Sequence, residues 1–252
     1  MAFNSDGMWA SNNGAEVDSP PLFGGEQSLD HLLTHKDGLT LKFRRLTGAL
    51  IAASMFQLSD SPWIEQHLEP ESIFVPPEDN KRIQQWYPRT LCTLVPQKDT
   101  GLQGDNIAAF GVLVLELEAD RKANWIADDE DWLSGEKSNH VRLARVLNSW
   151  TDLVSDEYRK IAKSCLDFDV LIESLDHAKI IPERKGLAII YKCILEPLFH
   201  RITTSFGNLA PIFSGMFGPS RSFTVPMNIS PSVTAKRVLF DDDGDLPKRD
   251  DQ

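Results

Sequence analysis

The stretch GDNIAAFGVLVLEL, residues 104–117, decides how this chain folds. It begins with Asp105 in a helix-capping position and is then apolar on every side. A helix without a polar face has to be enclosed by other elements, so the stretch predicts a central core helix over residues 105–117. Its uncharged run before Glu116 is far shorter than the roughly 20 apolar residues that span a bilayer. We therefore expect no membrane span.

Other segments on both sides of this stretch carry helical periodicity. Helices are predicted over Leu39–Leu58, His140–Trp150 and Ser155–Leu166, and another is opened by Pro182. A strand is predicted at Ile73–Val75, and residues 91–95 are a second candidate. The pattern therefore indicates a mainly α fold with one or two short β segments.

The sequence also predicts the apolar face of one helix and an interruption in another. In the segment from His140 to Trp150, the apolar spacing predicts that Val141, Ala144 and Leu147 share one face of the helix, with Trp150 as a further candidate for that face. In the last helix, Pro197 is expected to kink or split the helix, because proline lacks the N–H that the backbone ladder needs.

Composition divides the chain into three parts. Residues 1–28 are rich in Gly, Asn, Ser and Pro and predict a disordered leader. Residues 30–203 hold the predicted helices and form the expected domain. Residues 204–252, rich in Gly, Pro and Ser and then acidic, predict a largely disordered tail. Within the domain, residues 118–138 are acidic and contain tryptophan, which indicates a surface excursion.

Charge and cysteine content narrow the class of protein. The formal net charge is −11, from 37 acidic and 26 basic side chains, which argues against non-specific binding to nucleic acid or anionic membranes. Cys92, Cys165 and Cys193 are scattered and form no CxxC pair, so they predict reduced thiols rather than a zinc site. Without a predicted signal peptide, the expected compartment is the cytoplasm.

The helix order and one loop resemble the C-lobe of protein kinases. The stretch WIEQHLEPESIF, residues 63–74, is similar to the kinase catalytic loop H-R-D-L-K-P-E-N-I-L. His67 stands where the catalytic aspartate would be, Glu69 replaces the loop lysine, and Ser72 replaces the magnesium-binding asparagine. Phosphoryl transfer needs metal carboxylates and a phosphate cradle, and the sequence has no Asp-Phe-Gly and no Gly-rich loop. We therefore expect no kinase activity, no nucleotide and no other cofactor.

A closer resemblance, over about residues 38–203, is to a fungal kinase-like domain of unknown function that often follows HeLo-type prion-inhibition and propagation domains. It is carried by residues 41–58, 61–64, 72–74, 110–117, 158–166 and 191–198. The resemblance implies a link to incompatibility or programmed cell death. It also implies structural roles, in place of the kinase catalytic ones, for Trp63, Pro70, Asp105, Phe110, Gly111 and Glu116. In kinases the aspartate at the position of Asp105 binds backbone amides of the catalytic loop.

Two further patterns leave alternatives open. His31 and His35, four residues apart, fit either a metal pair or two solvated side chains, and no third ligand accompanies them. Trp125, Trp132 and Trp150 fit either a partner groove or ordinary core and boundary positions.

The leading hypothesis is a non-catalytic protein-binding module on a degenerate kinase-like scaffold. The alternatives are an accessory or truncated component of a larger pathway protein, and an enzyme of unrecognised mechanism. No GxSxG, HExxH, GxxxxGK[ST] or GxGxxG motif supports an enzyme. A protein partner is expected; the sequence does not identify it.

Overall fold

Helix α3 (Gly104–Ala119) forms the centre of the protein, as the sequence predicts. Its side chains are buried from Asn106 through Leu117, on every side of the helix. The computed structural model describes residues 2–4, 7–9, 25–35, 38–58, 68–78, 87–90, 104–175 and 182–207, all within one compact unit. In these residues the fold is mainly helical.

Seven further α-helices accompany α3 in the described residues. They are α1 (Leu29–His35), α2 (Leu41–Leu58), α4 (Asn139–Ser149), α5 (Asp156–Leu166), α6 (Phe168–Ser174), α7 (Pro182–Ile189) and α8 (Glu196–Phe206). Helices α2, α4 and α5 pack directly against α3. On α5, the residues predicted to lie on one face (Tyr158, Ile161, Ala162 and Cys165) are all buried.

Gly111 lets α4 and α5 approach α3 closely. A β-carbon at this position would lie 2.6 Å from Leu143 Cδ2 and 2.9 Å from Cys165 Cβ. Both distances are too short for non-bonded carbon atoms. Phe110, the neighbouring residue, is fully buried in the same core. Both residues are therefore part of the packed core around α3.

The β structure is small and antiparallel. Strands β3 (Gln27–Ser28), β4 (Ile73–Val75) and β5 (Arg89–Thr90) form a sheet in that order, with β4 in the middle. The strand predicted at Ile73–Val75 is thus confirmed, whereas the candidate at 91–95 lies outside the described residues. Within the predicted leader, β1 (Ala2–Asn4) pairs with β2 (Gly7–Trp9).

Pro197 splits the last helix as expected, and the split takes the form of a π-helical turn. Residues Ile190–Leu195 are π-helical, and the Glu196 N–H donates to the carbonyl of Tyr191, five residues back. Because Pro197 has no N–H to donate, the α-helical ladder cannot pass through this position unchanged.

The apolar face predicted for α4 is only partly buried: Trp150, the candidate fourth member, is in the core. Val141, Ala144 and Leu147 are only half-buried, and the helix instead buries Asn139, Arg142, Leu143 and Val146. Apolar spacing treats arginine as a surface residue. Here the guanidinium of Arg142 has partners inside the protein, so the buried face is rotated towards it.

Candidate functional site

The degenerate catalytic-loop positions belong to a local turn. Pro70–Ser72 form a single 3₁₀ turn before β4. The Ser72 hydroxyl donates to the Glu69 carbonyl at 2.8 Å, and the Ser72 N–H donates to the same oxygen at 2.9 Å. Pro70 is buried, in keeping with a structural role. Trp63 and His67 lie outside the described residues.

The Asp105 carboxylate connects the first turn of α3 to the first turn of α4. It accepts hydrogen bonds from the Asn139 N–H at 2.8 Å and from Asn139 Nδ2 at 3.0 Å. A third comes from the His140 N–H at 3.3 Å. A carboxylate that receives N–H donors at a helix start is favoured by both the bonds and the helix dipole. The kinase resemblance implies catalytic-loop amides as partners, whereas these partners belong to α4.

Glu116 forms a buried network at the other end of α3. Its side chain is 1% exposed, and Oε1 accepts from Arg142 Nη2 at 3.1 Å and from the Ala123 N–H at 2.8 Å. Arg142 Nε also donates to the Ala123 carbonyl at 2.9 Å. The network therefore fixes α4 and the chain at Ala123 to the last turns of α3.

One oxygen of Glu116 lacks a partner. Among the described residues, no donor reaches its buried Oε2. Burial raises the pKa of Glu116 to about 7, against the opposing effects of Arg142 and the Ala123 N–H. The guanidinium of Arg142 is shared, because it also lies 4.5 Å from the centroid of the Trp125 ring.

The α3–α4 loop, residues 120–138, leaves this network and returns to α4. It begins at Asp120, whose φ of 53° is left-handed, and the Arg121 N–H closes the helix end on the Glu116 carbonyl at 3.1 Å. This is the hydrogen bond of a Schellman-type C-cap. Arg44 Nη1 lies 2.6 Å from Asp120 Oδ1 and ties the start of the loop to α2.

Asp129 anchors the middle of the loop. Its fully buried carboxylate pairs with Arg145 through two bonds, Nε to Oδ1 at 2.6 Å and Nη2 to Oδ2 at 2.8 Å, and also accepts from the Ile126 N–H at 2.9 Å. Burial alone would raise the pKa of Asp129, but the bonds from Arg145 and Ile126 outweigh it and hold the pKa below its usual value. The paired geometry fixes both position and orientation.

The tip of the loop is closed by a second aspartate. Asp131 Oδ1 accepts from the Leu133 N–H at 2.8 Å and from the Ser134 N–H at 3.0 Å. Those bonds, from Ser134 first and then Leu133, lower the pKa of Asp131. The Gly135 N–H donates to the Asp131 carbonyl at 2.7 Å, and Gly135 takes the positive φ of 68° that the turn requires. The tip therefore has a defined conformation.

The three tryptophans have three different environments. Trp150 is 8% exposed and belongs to the core. Trp125 is half-buried between Arg142 and Lys137, whose Nζ lies 5.6 Å from the ring centroid. Trp132 is 87% exposed at the tip of the loop. The three tryptophans therefore do not share one environment.

Trp132 and Leu133 together form what we call the apolar tip. Leu133 is 75% exposed, so two large apolar side chains stand next to each other in solvent at the tip of the turn. Within a few residues of it along the chain are four carboxylates, called the acidic rim: Asp128, Glu130, Asp131 and Glu136. Lys137 is the exposed cation of this same turn, so the apolar tip lies in a negative environment.

A groove elsewhere on the protein has few side chains that could take part in a reaction. This groove of about 390 Å³ is lined by Leu32, Leu39, Val75, Pro76, Pro77 and Glu78, with backbone from neighbouring residues. Of its described lining residues, Glu78 is the one with a titratable side chain, and that carboxylate already accepts from the Thr40 N–H. The groove as described has no nucleophile beside a base.

The histidine pair has no third ligand in the described chain. His31 and His35 are both exposed on α1, with ring centroids 4.2 Å apart, and His35 Nδ1 lies 2.9 Å from the His31 carbonyl oxygen. Across the described ranges, no three His, Cys, Asp or Glu side chains are grouped to hold a metal ion. Nor does any described helix have both the length and the apolar content to cross a bilayer.

These features define a class: a mainly helical domain with a buried central helix, a small antiparallel sheet and a fixed loop that exposes apolar residues. The chain belongs to the family described as a domain of unknown function (DUF7580), whose model matches residues 1–204. The match extends through the predicted leader as well as the helical domain. No curated protein matches the chain, and no solved structure matches it.

The sequence predicted the exposure of this loop but not the ion pairs that anchor it. Composition indicated a surface excursion at 118–138, and the exposed Trp132 confirms it. The anchoring pairs of the loop, Glu116 with Arg142 and Asp129 with Arg145, were not predicted. The second pair is only 16 residues apart, and an acidic residue facing an arginine on the following helix is the signal that was available.

Proposed function

We propose that this chain is a non-catalytic protein-interaction module that binds its partner through the apolar tip. The observation that carries the proposal is the 87% exposure of Trp132 on a turn whose backbone is fixed by Asp131. Tryptophan is enriched among the residues that dominate binding energy, and a preformed loop loses little conformational entropy on association.

The scaffold of the proposed module is a degenerate kinase-like domain of the fungal type, acting in the cytoplasm. The resemblance of residues 38–203 supports this part of the proposal and suggests a place in incompatibility or cell-death signalling. Its non-catalytic nature is supported by the local turn at Glu69–Ser72, where the Ser72 hydroxyl donates to the Glu69 carbonyl. Catalysis of phosphoryl transfer would require metal ligands in that region.

The apolar tip contributes little to the stability of the fold, which favours a role in binding a partner over a purely structural one. Trp132 and Leu133 contribute little to folding, because side chains this exposed gain almost none of the stabilisation that burial provides. The chain nevertheless uses Asp129, Asp131, Arg145 and several backbone donors to hold the tip in place. A function outside the fold accounts for that arrangement.

The test is quantitative affinity capture from cells that naturally contain the protein, followed by mass spectrometry. We compare the wild type with the Trp132→Ala/Leu133→Ala double variant. The matched control is Val170→Ala, which shortens another exposed apolar residue, 65% accessible on α6. All three proteins should melt within a few degrees of one another, because surface substitutions change stability by about 0.5 kcal/mol or less.

We expect the double variant to lose at least one protein that the wild type and Val170→Ala both capture. Equal capture by all three would contradict the proposal. A reproducible rise in melting temperature with magnesium-ATP would contradict the non-catalytic part of it, since a ligand that binds the native state stabilises it.

A further inference from the structure

We infer that the partner of the apolar tip presents a basic amphipathic helix, with Lys or Arg residues bordering an apolar face. This inference rests on the proposed function and specifies the chemistry of its partner. It is carried by the distribution of charge on the α3–α4 loop and by which of those charges already have partners.

Three of the cations near the loop pair with carboxylates outside the acidic rim. Arg142 pairs with Glu116, and Arg145 pairs with Asp129. Lys122 pairs with both Asp30 and Glu71. These three side chains already have anionic partners, and Arg145 also interacts with Asp128 of the acidic rim. Arg121, at the start of the loop, lies 5.7 Å from the centroid of the Trp150 ring.

Three of the four residues of the acidic rim are exposed, and the carboxylate of the fourth, Asp131, accepts backbone hydrogen bonds within the turn. Asp128, Glu130 and Glu136 are exposed, and Asp131 is half-buried at the base of the turn. They lie within a few residues of Trp132 on a short turn, and charges closer than about 8 Å are weakly screened at physiological ionic strength. Against four carboxylates stands Lys137, which lies over the Trp125 ring.

The negative charge around the apolar tip favours some binding partners over others. A second copy related by two-fold symmetry would bring two acidic rims together, which is unfavourable because like charges facing each other repel. An anionic lipid surface is disfavoured for the same reason. A basic amphipathic helix offers an apolar face for Trp132 and Leu133 and cations for the rim.

The size of the tip also bounds the affinity. An aromatic side chain buries about 150–250 Å², so Trp132 and Leu133 by themselves cover less than the roughly 800 Å² per partner of a standard stable interface. A transient contact is therefore expected, with its association rate raised by complementary charge and lowered by salt.

The test uses two fluorescently labelled 18-residue helical peptides as probes. Both have the same Leu and Phe apolar face, and one has Lys at every flanking position where the other has Glu. Binding to the full chain is measured by fluorescence anisotropy at two salt concentrations. Three proteins are compared: wild type, Trp132→Ala/Leu133→Ala, and the triple variant Asp128→Asn/Glu130→Gln/Glu136→Gln.

We expect the Lys peptide to bind wild type at least tenfold more tightly than the Glu peptide. Neutralising the rim should weaken Lys-peptide binding about tenfold and remove most of its salt dependence. Removing the apolar tip should abolish measurable binding of the Lys peptide. Sedimentation of the wild type should show no self-association that depends on Trp132.

Three results would overturn the inference: equal affinity for the two peptides, no binding of either, or a Trp132-dependent dimer of the chain. None of them alone removes the proposed function. A partner captured from cells in a Trp132-dependent manner, but insensitive to the triple substitution, would leave the interaction module standing with a partner of other chemistry. If the Trp132→Ala/Leu133→Ala variant captured the same cellular proteins as wild type, and the Lys peptide also showed no preference, both proposals would be wrong.

Discussion

Helix α3 and the α3–α4 loop that follows it are held by opposite means. From Asn106 to Leu117 the helix is surrounded by apolar side chains, and its position is fixed by dispersion and by exclusion of water. The loop buries few large apolar side chains, and Asp129, Asp131 and Glu116 hold it through directed polar bonds.

The difference teaches what each region can provide. A core built from non-directional contacts tolerates substitution of similar volume, but it presents nothing to solvent. A loop held by directed bonds keeps one conformation while leaving Trp132 accessible. The two regions meet at Glu116, which is the last charged side chain of the buried part of α3 and the first anchor of the loop.

The largest effect is expected from the Glu116→Gln variant, which changes the residue where helix and loop meet. It should alter how the stability of the protein depends on pH. The pKa of Glu116 in the folded protein is raised to about 7 from an ordinary value of 4.5, mainly by burial. A raised carboxyl pKa means that the unfolded state ionises first, so stability from this group is present below about pH 4.5 and is lost as pH rises towards 7. The loss amounts to roughly 3 kcal/mol.

Glutamine removes this titration while keeping the shape of the side chain. The stability of the wild type relative to Glu116→Gln should therefore fall by about that amount between pH 4.5 and pH 8, measured by urea unfolding across the range. Glu130→Gln, which changes an exposed carboxylate on the loop, is the control and should show an almost flat difference. A flat difference for Glu116→Gln as well would show that Arg142 fully offsets the burial of the charge.

The parts of the fold that the sequence predicts are those that depend on local patterns, and the parts it misses depend on contacts between distant residues. The existence of α3 and the buried face of α5 are local properties, because periodicity and the lack of charge are visible in a short window. The buried face of α4 is not local: Arg142 lies inside because Glu116, 26 residues earlier, pairs with it. One sequence shows both residues as charged and gives no indication that they meet.

The tryptophans make the same point for the candidate site. Trp132 and Trp150 both occur in polar sequence, yet one is 87% and the other 8% exposed. What separates them is the turn closed by Asp131, whose bonds to the Leu133 and Ser134 N–H groups direct the tip away from the core. Composition indicated a surface excursion but not the conformation that exposes the tryptophan.

A smaller effect is expected in the core, from Gly111→Ala. The added β-carbon would meet Leu143 Cδ2 at 2.6 Å and Cys165 Cβ at 2.9 Å, so α4 or α5 has to move. Overpacking of this kind costs about 1–3 kcal/mol, measured as a shift in the urea midpoint. The matched control is Gly48→Ala on α2, where the new carbon would meet only Leu117 Cδ1 at an ordinary 3.5 Å.

Gly48→Ala should be neutral or stabilising by up to about 1 kcal/mol, because alanine loses less backbone entropy than glycine in a helix. Equal destabilisation by both substitutions would show that the close approach at Gly111 is not special. It would also weaken the view that α3 is fixed by tight packing on its α4 and α5 sides.

The most direct test of the central claim, that the α3–α4 loop is as ordered as the core helix while it exposes Trp132, is a measurement of backbone ¹⁵N order parameters. We predict values of about 0.85 for the amides of Ile126, Leu133 and Ser134, equal to those within α3 and typical of rigid backbone. Values below about 0.6 for these three amides, with α3 remaining rigid, would contradict the account.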